Sequence, residues 1–283
     1  MPSPVKPFLT IPQQIEHLKA VGMRVEDEAT AAATLERVSY YRLISAYVLG
    51  LYADADKRQF REGVTFWQVY SLYAFDNALR HILSELLEEF EIRFRTRLAN
   101  YIGEHYGYTS PAMFVNADYH RDMLDTLERE KGAQGKSPIV HHHAVKYGGD
   151  IPIWAAVELL SFGTVVKLYK NMRTRDKAAI AKAFGTPHHY LYSWLRVFVE
   201  VRNICAHYGR LYDKPLMFPP RLPKDCTFQQ NMIFAVLYLL HPFVEPETTL
   251  NCVVRLREAL CRYPAVELRR IGFPEDWETL LMQ

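Results

Sequence analysis

The sequence predicts an all-α fold on three observations. Apolar residues recur at helical spacing along most of the 283 residues, no sustained series of short alternating segments bounded by turns appears, and helix-capping residues stand just ahead of several apolar runs. A hydrophobic content of 49% is ample for a sizeable core.

Thr10 caps a first helix with Pro12 near its start, running through Ile15 and Leu18 until Gly22. Asp27 opens a second, alanine-rich helix to about Val38, and a third covers Tyr41 to Leu51. The polar stretch from Asp54 to Gly63 predicts a loop or a short hairpin. Thr65 then caps the longest helical pattern, ending near Gly103 or Gly107, with Phe66, Val69, Tyr73, Leu79, Leu83, Leu86, Phe90, Phe94 and Leu98 in its apolar stripe. Spacing alone leaves open one long bundle helix or two helices meeting near Asp76 or Ser84. A further helix covers Asp118 to Lys131, and the glycine-containing stretch from Gly132 to Gly149 reads as a mobile loop. Helices resume over Pro152 to Asn171, Arg175 to Phe184, Pro187 to His207, Phe228 to Phe243 and Pro246 to Cys261, with a short tail helix after Phe273. Helices of this kind assemble most simply as a bundle. The first three form a small N-terminal helical subdomain, residues 1–53, against a bundle of residues 64–283, and the same pattern fits one continuous domain.

With 34 Lys+Arg against 32 Asp+Glu, the formal charge is only +2, so nucleic-acid affinity would have to come from local clustering. Lys167, Lys170, Arg173, Arg175, Lys177 and Lys182 form one cluster, and Arg93, Arg95 and Arg97 another; the ordinary reading of each is a solvated helix face. Four cysteines without Cys-x-x-Cys spacing favour reduced thiols in a cytosolic protein and give no support to zinc. Residues 1–7 lack the apolar core of a signal peptide, and no apolar stretch reaches the roughly 18 residues of a membrane span. The expectation is a soluble, cytoplasmic chain with no membrane partner and no cofactor.

The run Val201-Arg202-Asn203-Ile204-Cys205-Ala206-His207, followed by Tyr208-Gly209-Arg210, is the most informative. It closes an apolar helix with a permanent cation and a titratable imidazole, groups that together can hold a phosphate and move protons around it. Spacing alone is weak, because roughly one Arg-x4-His pair is expected by chance in a chain of this composition. At about 100° per residue, Asn203 and His207 lie roughly 40° apart on one face, with Arg202 roughly 140° from His207. The two converge only if Arg202 bends round, the last turn distorts, or a second copy supplies the partner. The ordinary reading is a helix end at which histidine satisfies the last carbonyls.

Other groups read more blandly. His141-His142-His143 has no companion at metal-ligand spacing and reads as a polar loop, while His188 and His189 sit at a helix start. Glu89 and Glu91 beside Arg93 and Arg95 suggest intrahelical pairs. Trp154 and Glu158 share a helical face directed at the bundle interior, where Glu158 needs Arg95 or Arg202 as partner.

Arg202-Asn203-x-Cys205-Ala206-His207, then Tyr208-Gly209-Arg210-Leu211-Tyr212, resembles the signature of the Abi-like proteins (the AbiD/AbiF abortive-infection group) of the HEPN ribonuclease superfamily. Further stretches match that family in order: Lys6-Pro7 with Gln13-Gln14-Ile15 and Leu18; Tyr40-Tyr41-Arg42-Leu43; Leu72-Tyr73-Ala74-Phe75-Asp76 with Leu79-Arg80; Glu91-Ile92 with Arg95; Pro152-Ile153-Trp154 with Glu158 and Ser161-Phe162-Gly163. The resemblance spans residues 6 to about 215. It implies a HEPN-type helical bundle that serves as a toxin in anti-phage defence, cutting RNA without a metal through an Arg-x4-6-His motif. In such proteins two motifs usually face each other across a pseudo-twofold interface. One copy fits here, so by carry-over Arg202, Asn203 and His207 of two protomers make a composite site in a homodimer. The second histidine that often follows the motif is replaced by Tyr208.

In RNA a 2′-hydroxyl attacks the neighbouring phosphate once a base removes its proton and a cation stabilises the phosphoryl oxygens. On this reading His207 does the acid/base work, Arg202 stabilises the phosphate and Asn203 orients either. Tyr208 and Arg210 contact the RNA backbone, Glu91 and Arg95 support the active helix, Lys167 and Lys170 bind RNA, and Glu158 is structural. An antitoxin protein or a regulatory RNA is the expected controlling partner. The rival expectations are a non-catalytic HEPN module that binds RNA or a regulatory partner, and an ordinary interaction protein whose helix happens to end in histidine.

Overall fold

A computed structural model describes residues 7–48, 50–54, 56, 59–105, 107–223 and 226–283, so Lys6 lies outside the described residues. The helices are α1 (Ile11–Ala20), α2 (Glu28–Arg37), α3 (Phe66–His105), α4 (Ala117–Ala133), α5 (Pro138–Tyr147), α6 (Ile153–Leu159), α7 (Phe162–Asn171), α8 (Thr174–Lys182), α9 (His188–Ala206), α10 (Phe234–Leu240), α11 (Pro246–Arg262) and α12 (Trp277–Leu281), with a π-helical turn at Tyr41–Ser45. The described residues contain isolated bridges but no β-strand, so the fold is all-α as the periodicity predicts.

Both expected caps at the start of the chain form. The Thr10 amide donates to Gln13 Oε1 at 2.9 Å, and Asp27 accepts from the Thr30 amide at 2.9 Å, which closes the first turns of α1 and α2. These two helices pack on each other, and Arg24 bridges to Thr65 at the mouth of α3. The polar stretch after Leu51 closes as a hairpin-like bridge between Tyr52 and Phe60.

α3 is one continuous helix of 40 residues, about 60 Å long, and it forms the axis of the bundle. Thr65 caps it through the Gln68 amide at 3.0 Å. Neither suspected break occurs, for local reasons. The Asp76 carboxylate is occupied by tertiary donors rather than by its own backbone, and Ser84 turns its hydroxyl back onto the Arg80 carbonyl at 2.7 Å. α6, α7, α8, α9, α10 and α11 all contact α3. Buried apolar side chains from Ile15 of α1 to Leu281 of α12 join in a single cluster.

Three expectations need correction. Residues 132–149 are not a loop: α5 lies there and carries His141, His142 and His143. Ser137 caps it through the Val140 amide, Pro138 fits its first turn, and Gly148 ends it in the left-handed region at φ 62. Glycine serves loops and helix ends alike, and here Gly148 is a helix stop. The stretch 152–171 is two helices, because Leu160 is extended and Ser161 caps α7 through the Thr164 amide at 3.2 Å. The carbonyls of Val157 and Leu160, freed at that break, accept from Arg95. Finally, α10 starts at Phe234 rather than Phe228. Among the described residues no helix is long and apolar enough to cross a membrane.

Candidate active site

α9 buries Leu191, Trp194, Leu195, Val197, Phe198, Val201 and Cys205, which leaves Arg202, Asn203, Ala206 and His207 exposed around its last turn. The helix ends in a Schellman motif: the Tyr208 amide bonds the Cys205 carbonyl at 3.2 Å and the Gly209 amide bonds that of Ile204 at 2.7 Å. Backbone amides therefore close the helix. The His207 imidazole has no hydrogen-bond partner among the described residues, so it is not spent on the terminal carbonyls. A side chain at Gly209 would place its Cβ 3.0 Å from Ile204 Cγ2.

Tyr208 occupies the left-handed position of that motif, at φ 56, where glycine is the usual residue. For an L-residue this costs about 1–2 kcal/mol. The Arg42 guanidinium, 5.7 Å from the Tyr208 ring centroid, offsets roughly 0.5–1 kcal/mol at an exposed site. Arg42 also donates to the Tyr208 carbonyl at 2.8 Å, a bond any residue there would accept. The ring is 68% exposed, so packing does not explain its presence.

The chain after Tyr208 is pinned from below. Arg80 donates to the Gly209 carbonyl at 3.1 Å, and Asp76 accepts from the amides of Leu211 and Tyr212 at 3.1 and 2.8 Å. Asp76 is fully buried and also accepts from Arg80 at 2.7 Å and from the Tyr47 hydroxyl at 2.6 Å. Burial pushes the Asp76 carboxyl upward, while the Tyr47 hydroxyl, Arg80 and both amides pull it back. All of these neighbours are donors, which suits a carboxylate. Burial beside Asp76 raises the Tyr47 hydroxyl well above its ordinary value, so it remains a donor. Arg42, Tyr47, Asp76 and Arg80 thus fix the loop beside His207, a role the sequence reading did not assign. The available signal was an Asp/Arg pair on the apolar face of α3, in line with Leu72, Leu79 and Leu83.

On the other side of the helix end, Arg202 enters a cleft of about 470 Å³ lined also by Ser84, Glu88, Glu91, Ile92, Arg95, Glu158 and Ala206. Glu91 bridges two guanidiniums, bonding Arg95 Nε at 2.9 Å and lying 3.5 Å from Arg202 Nε. Arg95 is buried and committed to the end of α6, whereas Arg202 remains 46% exposed. An ion pair this open contributes at most about 1 kcal/mol, so Arg202 is readily drawn to another anion. Three carboxylates against two guanidiniums leave the cleft with one net negative charge.

His207 is not part of that lining, and no hydrogen bond joins it to Arg202 among the described residues. One chain therefore brings Arg202, Glu91, Arg95 and Glu158 together and leaves His207, Asn203 and Tyr208 on the neighbouring surface. Arg210 is half-buried in the pinned loop, with no ion pair among the described residues. Lys167 and Lys170 line a different cleft, about 340 Å³ between α4 and α7, which shares no lining residue with the first. Trp154, expected in the interior, is 65% exposed, and Glu158 on the same face is exposed too. α6 instead buries Ile153, Ala155, Ala156, Val157 and Leu159, which leaves the Trp154 and Glu158 face outward. Among the described residues no group of three His, Cys, Asp or Glu side chains is placed to hold a metal.

The chain is an all-helical bundle that presents an Arg-x4-His motif on an exposed, tightly capped helix end. The family model described as Abi-like protein matches residues 33–213, which include Arg42, Tyr47, Asp76, Arg80, Glu91, Arg95 and the whole α9 motif, and the chain belongs to that family. No curated protein and no solved structure matches it.

Proposed function

We propose that this protein is a metal-independent endoribonuclease of the HEPN type, working in the cytoplasm as an abortive-infection toxin. The observation that carries the reading is the end of α9. It exposes Arg202, Asn203 and His207 together on a rigidly closed helix, with the imidazole unengaged and Arg202 held only by an open ion pair. His207 takes the proton of the RNA 2′-hydroxyl or returns one to the leaving 5′-oxygen. Arg202 neutralises the charge that grows on the phosphoryl oxygens, and Asn203, one turn before His207, orients either by hydrogen bonding. The products are a 2′,3′-cyclic phosphate and a 5′-hydroxyl. Because Arg202 and His207 occupy neighbouring surfaces of one chain, a second copy supplies the complementary half of the site, making the active form a homodimer. An antitoxin protein or a regulatory RNA that covers this surface would hold the toxin inactive.

The test is RNA cleavage in EDTA. The wild type is expected to cut, and Arg202→Ala and His207→Ala each to lose about 10²–10⁴-fold. Cutting that needs Mg²⁺ and survives His207→Ala overturns the mechanism. One observation favours a second reading, the regulatory-partner form of a non-catalytic HEPN module: the cleft at Arg202 carries net negative charge, which disfavours a polyanion. Failure of the wild type both to cut and to bind RNA would support that form, and RNA binding without cutting would support an RNA-binding module instead.

A further inference from the structure

Tyr208 combines three properties that folding does not require together. Its backbone is left-handed at φ 56, its ring is 68% exposed, and its hydroxyl has no hydrogen-bond partner among the described residues. Glycine would occupy this position without strain and would keep the bond from Arg42 to the residue 208 carbonyl, 2.8 Å long here. An outlier whose strain is only partly offset by its one ring contact directs attention to what the side chain meets from outside. The backbone that carries the ring is also held in place. Arg42 fixes the carbonyl and lies 5.7 Å from the ring centroid, while Arg80 and Asp76 fix the residues that follow. A flat, open aromatic surface on a fixed backbone has only its side-chain torsions to lose when it is covered, and it follows His207 directly in the chain.

We propose that Tyr208 is a stacking platform for an unpaired RNA base, the one flanking the phosphate at Arg202 and His207. The proposal rests on the RNA-cutting reading for its substrate and adds to it that the substrate is single-stranded. A base in an A-form duplex has both faces covered by its neighbours and cannot lie on the ring, whereas a splayed base can. Every base has a π-face, so the platform tolerates any sequence and selects for lack of pairing. The hydroxyl plays no part in stacking, so phenylalanine should serve as well. Arg42 is a positioning residue: its guanidinium lies against the ring, and it sets the ring's orientation without touching the base.

The experiment uses the full chain carrying His207→Ala, so that RNA is not consumed, and a short unpaired oligoribonucleotide containing 2-aminopurine. Affinity is read by anisotropy and stacking by quenching of the 2-aminopurine emission. Tyr208→Phe should keep both. Tyr208→Gly and Tyr208→Asn, which suit a left-handed backbone, should lose the quenching and bind about tenfold more weakly, with a thermal midpoint equal to or above that of the parent. A hairpin-free duplex of the same sequence should bind at least tenfold more weakly than the single strand. Equal affinity and quenching in Tyr208→Gly, equal binding of duplex and single strand, or no RNA binding at all would each overturn the proposal. Cutting by the otherwise unaltered protein is measured separately. Cutting with Tyr208-independent binding sinks the platform and leaves the nuclease standing, while Tyr208-dependent quenching without any cutting does the reverse.

Discussion

Asp76 shows how a residue far from the reacting atoms decides the shape of the site. It sits on the apolar face of α3, yet it holds two amides that lie 135 and 136 residues further along the chain, just past His207. Replacing it with Asn keeps the shape but sets an NH2 group against a ring of donors and leaves Arg80 buried without its counter-charge. The expected cost is about 3–5 kcal/mol in urea denaturation, with faster amide exchange at Leu211 and Tyr212. A loss below about 1 kcal/mol with those amides still protected would contradict this account of the loop. The motif itself was readable from Arg202 and His207 because polar residues ended an apolar run. Asp76 and Arg80 were visible as residues, but the partners that tie them to the loop after His207 are backbone groups, which carry no side-chain signature. Cys205, one turn from Arg202, offers a second check. Burial pushes its thiol up to about 11 and that of Cys252 up to about 12, so near pH 8 neither forms the reactive thiolate, while Cys261 is exposed. A thiol reagent added to the folded protein should modify Cys261 well before Cys205 or Cys252; early labelling of Cys205 would show that the end of α9 opens.

The helices were readable where a cap and an apolar stripe agreed, as at Thr10, Asp27 and Thr65. They were misread where one residue type carried two meanings. Gly148 looked like part of a loop and is the stop of α5; Ser161 looked like a position inside one helix and is the cap of the next. The break between α6 and α7 also depends on a residue more than sixty positions earlier, since Arg95 takes the carbonyls of Val157 and Leu160. Arg95→Met should leave those carbonyls unpaired and leave Glu91 with Arg202 as its remaining cation, costing about 3–5 kcal/mol and drawing Arg202 more firmly onto Glu91. Arg95→Lys should recover little of this, because one ammonium cannot reproduce a planar fork that meets a carboxylate and two carbonyls at once. Full recovery of thermal stability by lysine would mean that charge alone matters there.

For the molecule as a whole, helical class and bundle packing followed from periodicity, because α3 needs its apolar surface covered along nearly all of its length. What spacing could not supply was the relation between Arg202 and His207. The two side chains stand apart in the fold: Arg202 enters the cleft with Glu91, and His207 stays on the adjoining surface. On the proposed reading, the RNA-cutting site is assembled from two chains. The most direct measurement mixes two singly substituted proteins, Arg202→Ala and His207→Ala, under conditions that let subunits exchange, and assays RNA cutting in EDTA. Each alone should be inert, and the mixture should regain cutting with 2′,3′-cyclic phosphate ends, because one intact arginine and one intact histidine meet across the interface. A mixture as inert as its components, beside a wild type that cuts, would place the chemistry within a single chain and contradict the composite site.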